Sequence, residues 1–272
     1  MIPLEDNFAD IVGKAQRGLR ISDSELAKES GVNADQVRKV RDGKFDEAIL
    51  RAIAPALHLD ANSLVDLGAD KWKPETIGNL EGLAQFSTNY GGMVVNAYLA
   101  WDPQTKEAAA FDTGADCTEM LRRAAREKLT VKLILLTHSH PDHVADLVRL
   151  GDETGGQIFT PAREPLPGAE PVEEGRHFHL GRIDVEARLT WGHSPGGITY
   201  VVTGLARPVA IVGDSLFAAS MGGGNVSYKD AVRNNLEKIL TLPDETIICP
   251  GHGPMTSVRE EKAHNPFFAG KV

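Results

Sequence analysis

Two regimes of hydrophobic patterning divide the chain. From about residue 8 to 67, apolar side chains recur at helical spacing: Leu26 and Ala27, Val37 and Val40, Ile49, Leu50 and Ile53, then Leu57, Leu64 and Leu67. The spacing predicts several short amphipathic helices. Ser22 followed by Glu25 has the pattern of a capping box, Gly31 offers a stop, and Asn33 can cap a further helix that Gly43 closes. Pro74, Gly78, Gly82, Gly91 and Gly92 then predict a linker and leading loop over 69–92, with a boundary near residue 75. Beyond it the pattern turns to β-type runs at 94–101, Glu107–Phe111, 131–136, Ile183–Leu189, 198–202, 209–212 and 246–248. Helical stretches at 117–127, 142–150, 229–240 and Val258–His264 are interleaved with them. This alternation predicts a layered α/β domain over 85–272, joined by a linker over 71–84 to a small all-α domain over 1–70.

Composition narrows the function classes. A chain of 272 residues with 42% hydrophobic and 25% charged residues can bury an ordinary globular core. Its formal charge of −9 argues against wrapping nucleic acid or lying on an anionic membrane, so a small-molecule substrate is the expectation. The first residues carry acids where a secretory leader would carry a basic and then an apolar run, and no stretch approaches membrane-spanning length, which predicts a cytoplasmic protein with no membrane contact. Cys117 and Cys249 are too few for a disulfide framework and read as inert core thiols.

The chemistry concentrates where the 131–136 run enters Thr137-His138-Ser139-His140-Pro141-Asp142-His143, in which four of seven residues are metal-ligand types. In an extended exit from a strand, residues two apart point the same way. His138 and His140 can therefore grip one ion, while Asp142 and His143 at the start of a helix reach a second. Imidazole and carboxylate ligands suit zinc, iron or manganese better than calcium, and such ions need more partners than this loop supplies. Gly192-His193-Ser194-Pro195, Gly213-Asp214-Ser215 and Pro250-Gly251-His252-Gly253 lie at strand ends or turns from which they could converge. His177 and His179, like His58 and His264, match no such pattern and read as surface or satisfied side chains.

In order and spacing, His138–His143, GHSPGG, VGDSLF and PGHGP resemble the motifs of the metallo-β-lactamase superfamily over about residues 85 to 270. The resemblance implies an αββα sandwich with two divalent transition-metal ions at one edge, zinc foremost, with iron or manganese also suited. It implies that His138, His140 and His193 bind the first ion, Asp142, His143 and His252 the second, and that Asp214 bridges them. Asp112 would support the site without ligating. Two cations a few ångströms apart lower the pKa of a shared water to about 7, which makes hydrolysis the natural chemistry, with Asp142 able to orient the nucleophile.

The C-terminal PGHGPMTSVREEKAHNPFF with GDSLF looks most like the short glyoxalase II-like proteins, which implies hydrolysis of thioesters such as S-lactoylglutathione. The C-terminal helical extension with which the long type grips glutathione does not follow here. A second chemistry from the same superfamily is a persulfide dioxygenase with one iron on the equivalents of His138, His193 and Asp214. The run over 8–68 resembles a helix-turn-helix domain of the Cro/C1 repressor type, which implies nucleic-acid contact through Arg38, Lys39 and Arg41 and a third reading as a DNA-binding regulator. Residues 1–70 hold nine Lys/Arg against thirteen Asp/Glu, a net −4, which favours protein contact or homo-oligomerisation over DNA.

Overall fold

The helical pattern of the first seventy residues becomes five helices in a computed structural model that describes residues 2–271: α1 (Phe8–Leu19), α2 (Asp23–Ser30), α3 (Ala34–Arg41), α4 (Glu47–Ile53) and α5 (Ala61–Gly68). Their ends follow local chemistry. Ser22 and Asn33 each form a capping box, with Glu25 and Gln36 respectively, and Asn7 does the same for α1 with Asp10. Gly31 ends α2 at φ 67°, a left-handed conformation that costs glycine little.

The rest of the chain forms two mixed six-stranded sheets. The first runs in sequence order through β1 (Leu83–Tyr90), β2 (Met93–Trp101), β3 (Glu107–Phe111), β4 (Thr130–Leu135), β5 (Gln157–Pro161) and β6 (Glu170–Val172), antiparallel as far as β3 and parallel thereafter. The second runs in reverse order through β12 (Thr256–Ser257), β11 (Ile247–Pro250), β10 (Val209–Gly213), β9 (Ile198–Thr203), β8 (Ile183–Leu189) and β7 (His177–Leu180), with β10 and β11 its one parallel pair. Tyr98, Phe111, Leu135, Phe159, Val185, Tyr200 and Ile211 fill the space between the sheets. α6 (Thr118–Glu127) and α8 (Leu147–Thr154) cover the outside of the first sheet through Met120 and Leu150, and the four-residue α7 (Pro141–Val144) precedes α8. α9 (Tyr228–Asn234), continued by a wider turn over Asn235–Ile239, and α10 (Val258–His264) lie on the second. This is an αββα sandwich with an all-α bundle before it.

One apolar cluster joins that bundle to the sandwich. Leu26, Val37, Leu50, Ile53, Leu57 and Leu64 are buried in the same cluster as Val201, Ala210 and Val212 of the second sheet and as Phe267 and Phe268. Each fully buried side chain of this size contributes about 1.5–3 kcal/mol, so docking stabilises a bundle too small to bury much surface alone.

Several expectations are corrected. The leading loop over 69–92 holds a strand: Leu83–Tyr90 pairs with β2 in continuous register, and Gly91-Gly92, at φ 58° and 97°, is the two-residue hairpin turn between them. As an edge strand with a half-exposed face, it alternates Gln85, Ser87 and Asn89 with its other residues and shows no apolar run. β5, β6 and β7, three to five residues each, are likewise too short to stand out. The stretch over 142–150 divides into α7 and α8 at Asp146, whose carboxylate accepts from the Cys117 N–H at 2.9 Å. Both cysteines are free and buried; burial, with Asp146 second, pushes the Cys117 thiol up to about 12. No helix among the described residues is long and apolar enough to cross a membrane.

Candidate metal centre

Loops leaving β4, β8, β10 and β11 converge on one edge of the sandwich. His140 precedes α7 in extended conformation and Pro141 opens that helix, which turns Asp142 and His143 back toward the strand ends. One donor atom each from His138, His140, His193 and Asp214 lies within 4.8 Å of the others, and so does one each from Asp142, His143 and His252. His140 Nδ1 stands 3.0 Å from His138 Nε2 and 3.1 Å from His193 Nε2. Asp142 Oδ2 stands 3.3 Å from His252 Nε2 and 3.6 Å from His143 Nε2.

Asp214 faces both clusters. Its Oδ2 is 3.3 Å from His193 Nε2 and 3.5 Å from His252 Nε2, and its Oδ1 is 3.3 Å from His143 Nε2. Its Oδ2 also lies 3.9 Å from His138 Nε2, so Asp214 approaches two histidines of each cluster. All seven residues anticipated from the motifs are thereby brought together.

The far sides of the imidazoles are held. His193 Nδ1 donates to Gly223 O at 3.0 Å and His252 Nδ1 to Val94 O at 2.7 Å. His143 Nδ1 donates to Asp112 Oδ2 at 2.8 Å. Thr137 gives its hydroxyl proton to that same carboxylate at 2.7 Å, which leaves its oxygen to accept from His138 Nδ1 at 3.0 Å. Asp112 thus orients one histidine of each cluster, one directly and one through Thr137. In all four rings the Nε2 lone pair is left for a cation, and in His140 the Nδ1. Asp112 sits at φ 56°, a conformation few non-glycine residues adopt, and the Thr137 N–H bonds its Oδ1 at 2.7 Å.

Two of the site's buried polar atoms make no hydrogen bond of ordinary geometry, His143 Nε2 and Asp214 Oδ1, and they face one another at 3.3 Å. Buried polar atoms left unpaired are costly, and positive charge between these two, a proton on His143 or a metal ion in its place, would satisfy both. The charge balance points the same way. Burial opposes ionisation of Asp214, but His143 and His252 outweigh it and hold the carboxyl well below its usual range. Burial also opposes a charge on His143 and His252, yet carboxylates prevail and the two stand at about 10 and about 11. Burial takes His138 well below its ordinary value and His193 below it. The seven residues therefore form a pocket that demands positive charge, and their donor set fits divalent transition metals.

Sequence reasoning missed the residues that fasten these loops to one another. Glu164, buried in the loop after β5, accepts from the Ser139 N–H and hydroxyl, both at 2.8 Å, and from the Ser194 hydroxyl and Gly196 N–H, both at 2.6 Å. One carboxylate so ties the His138–His140 loop to the His193 loop, and those four bonds hold it ionised against its burial. On the other side, Asn96 Nδ2 donates to Pro250 O and Gly253 O, and Tyr98 Oη to Pro250 O, pinning the turn that carries His252. Gly251 leaves room for the site, since a Cβ there would lie 2.3 Å from Asp214 Oδ1.

The remaining candidates lie elsewhere. Arg38, Lys39 and Arg41 are on α3, where Arg38 pairs with Asp35 and Arg41 with Asp23 at 2.7 Å. His177 and His179 flank Asp184 on the exposed β7–β8 hairpin, and His264 stacks on Trp72.

The sequence profile of the metallo-beta-lactamase superfamily matches residues 90–252, so α1–α5 fall outside it. The hydroxyacylglutathione hydrolase GloC of Haemophilus influenzae is 30% identical over 201 residues, covering 65% of this chain and 93% of that protein. Among solved structures, the BLEG-1 B3 metallo-beta-lactamase is similar with a TM-score of 0.59 and 28% identity, over 69% of this chain and all of that one. The di-iron-bound form of TTHA1623 is similar with a TM-score of 0.53 and 27% identity, over 67% of this chain and all of that one. With a profile match spanning more than half of its residues and the motif residues gathered at one edge of an αββα sandwich, the chain belongs to the metallo-β-lactamase superfamily.

Proposed function

We propose that this chain hydrolyses thioesters of the hydroxyacylglutathione kind. It is a metal-dependent hydrolase with a binuclear His/Asp site, and the observation that carries the reading is Asp214, which presents one oxygen to His143 and the other to His193 and His252. His138, His140 and His193 would hold one metal, Asp142, His143 and His252 the other, and Asp214 both. Two such ions, zinc foremost, supply a Lewis acid for the carbonyl and ionise water near neutral pH. Asp142 is the catalytic carboxylate of the proposal. Its Oδ2, 3.3 Å from His252 Nε2, is placed to accept a hydrogen bond from the attacking water and so to orient it. The buried Phe217 ring stands edge-on to His252 with centroids 5.7 Å apart. A thiolate leaving group needs no proton from the protein to depart, which suits a site whose carboxylates Asp142 and Asp214 are held ionised.

The likeness to GloC supports this substrate class. Purified metal-loaded protein is expected to hydrolyse S-lactoylglutathione, and chelation to abolish the activity. Oxygen uptake with glutathione persulfide and no thioester cleavage would replace the proposal with a mono-iron dioxygenase, a reading that leaves the complete second cluster without a use.

We further propose that the bundle is of the helix-turn-helix type and serves contact between proteins. α2 and α3 are joined by the three residues 31–33, as in that motif. Ion pairs with Asp35 and Asp23 occupy Arg38 and Arg41, two of the three candidate nucleic-acid contacts on α3. Light scattering of the full chain tests self-association, and a gel shift with genomic fragments tests the regulator reading.

A further inference from the structure

Between α1 and the loop after β10 lies a cavity of about 530 Å³, within the usual range for small-molecule sites. Lys14, Arg17, Arg20 and Lys229 line it, and no carboxylate does. Lys14 is ion-paired with Asp6 and also donates to Met221 O. Arg17, Arg20 and Lys229 have no ion-pair partner among the described residues, although the chain as a whole carries −9. Three unanswered cations around one opening draw an anion there.

The cavity adjoins the metal centre through shared backbone. Its wall residue Gly223 offers the carbonyl that orients His193, and the N–H groups of Val226 and Ser227 both donate, at 3.0 Å, to the carbonyl of Gly192 just before that histidine. The fit between the two regions is close. A Cβ on Gly18 of α1 would lie 2.2 Å from the Tyr228 ring, and one on Gly222 would lie 1.9 Å from the Asp214 carbonyl oxygen and 3.0 Å from His193 Nδ1. A different cavity, of about 590 Å³, reaches Pro254 and Met255 on the His252 side, but Glu5, Asp6, Asp70 and Glu75 line it against the single cation Lys73, itself paired with Asp70, and it would repel an anion.

We propose that the cavity beside α1 holds the anionic carrier half of the thioester, a thiol bearing carboxylates or phosphates, with Arg17, Arg20 and Lys229 as its charge partners. This rests on the thioesterase reading and deepens it. The acyl carbon must sit at the metal centre, so the rest of the substrate needs an adjoining recess, and the N-terminal bundle supplies its recognition surface.

Binding can be measured without turnover. The metal-loaded full chain is titrated calorimetrically with S-methylglutathione, which carries carboxylates, and separately with coenzyme A, which carries phosphates. At least one is expected to bind, and the Arg17→Gln/Arg20→Gln variant to weaken it about ten-fold or more, with Lys229→Gln acting in the same direction. Arg122→Gln/Arg126→Gln, which removes equal charge on α6, is the control and is expected to change nothing. Arg17 and Arg20 are exposed, so circular dichroism should show the fold retained. The assignment is overturned if neither probe binds, if binding is the same in the variants, or if a single-stranded DNA oligonucleotide binds through these residues and neither probe does. Probe binding lost in the variants without cleavage of any thioester would instead sink the thioesterase reading and leave the anion site standing.

Discussion

The metal edge and the helical bundle are held by different forces, and the difference separates what each can lose. At the edge, polar side chains fix one another across four loops, with Asp112, Glu164 and Asn96 as the fasteners. In the bundle, apolar side chains such as Leu26, Leu57 and Leu64 are buried in a cluster shared with the second sheet, and the polar bonds are mostly helix caps. Damage at the edge should therefore appear as lost metal with the fold retained. Damage in the bundle should appear as lost stability with the metal retained.

Asp214→Ala tests the first half most severely. It removes the one side chain common to both clusters, so metal should fall at both positions and activity by about 10³-fold or more, read by elemental analysis and thioester hydrolysis. Full occupancy with full activity would show that Asp214 does not bridge. Leu57→Ala tests the second half. Its side chain is fully buried, and the cavity left behind should cost about 2–5 kcal/mol in denaturant unfolding at unchanged metal content. If metal were lost in step with stability, the two regions would not be separable.

Asp112→Asn probes the fasteners themselves. The amide keeps the shape, but its NH2 must face either the Thr137 N–H that Oδ1 accepts or the Thr137 hydroxyl and His143 N–H that Oδ2 accepts, so metal affinity should drop about 10–100-fold while the thermal midpoint of the metal-free protein moves little. An unchanged affinity would mean that the imidazoles are oriented by the backbone alone.

What could be read in the sequence follows the same division. The seven histidines and aspartates were legible because they lie in short glycine- and proline-flanked motifs, four of them within residues 138–143. Glu164, Asn96 and Tyr98 were not, because their partners lie between 25 and 157 residues away and nothing in their own neighbourhoods marks them. The helices were legible from apolar spacing and caps, whereas β1 was hidden by its edge position. Apolar spacing shows that a helix has a face to bury without showing what covers it. The docking of α1 beside Phe217 and Tyr228 therefore came only with the structure.

The smallest effect expected is at α3, and it sharpens the reading of the bundle. Arg41 pairs with Asp23 at 2.7 Å, but both are partly open to water, where such a pair is screened and its long side chains lose freedom. Arg41→Ala should shift stability by less than about 1 kcal/mol and leave metal content and thioester hydrolysis as they are. Arg38, paired with Asp35 on the same helix, should behave alike. If these cations served DNA, the same substitutions would instead weaken a salt-sensitive gel shift, because a cation that no longer meets its phosphate reduces the salt dependence of affinity by about one unit of slope. The measurement to make is therefore unfolding and gel shift on the same preparations. A small stability change with no nucleic-acid complex to weaken leaves α3 as a stabilised outer face of the bundle, and a sequence-selective complex that Arg38→Ala weakens would return the bundle to DNA recognition.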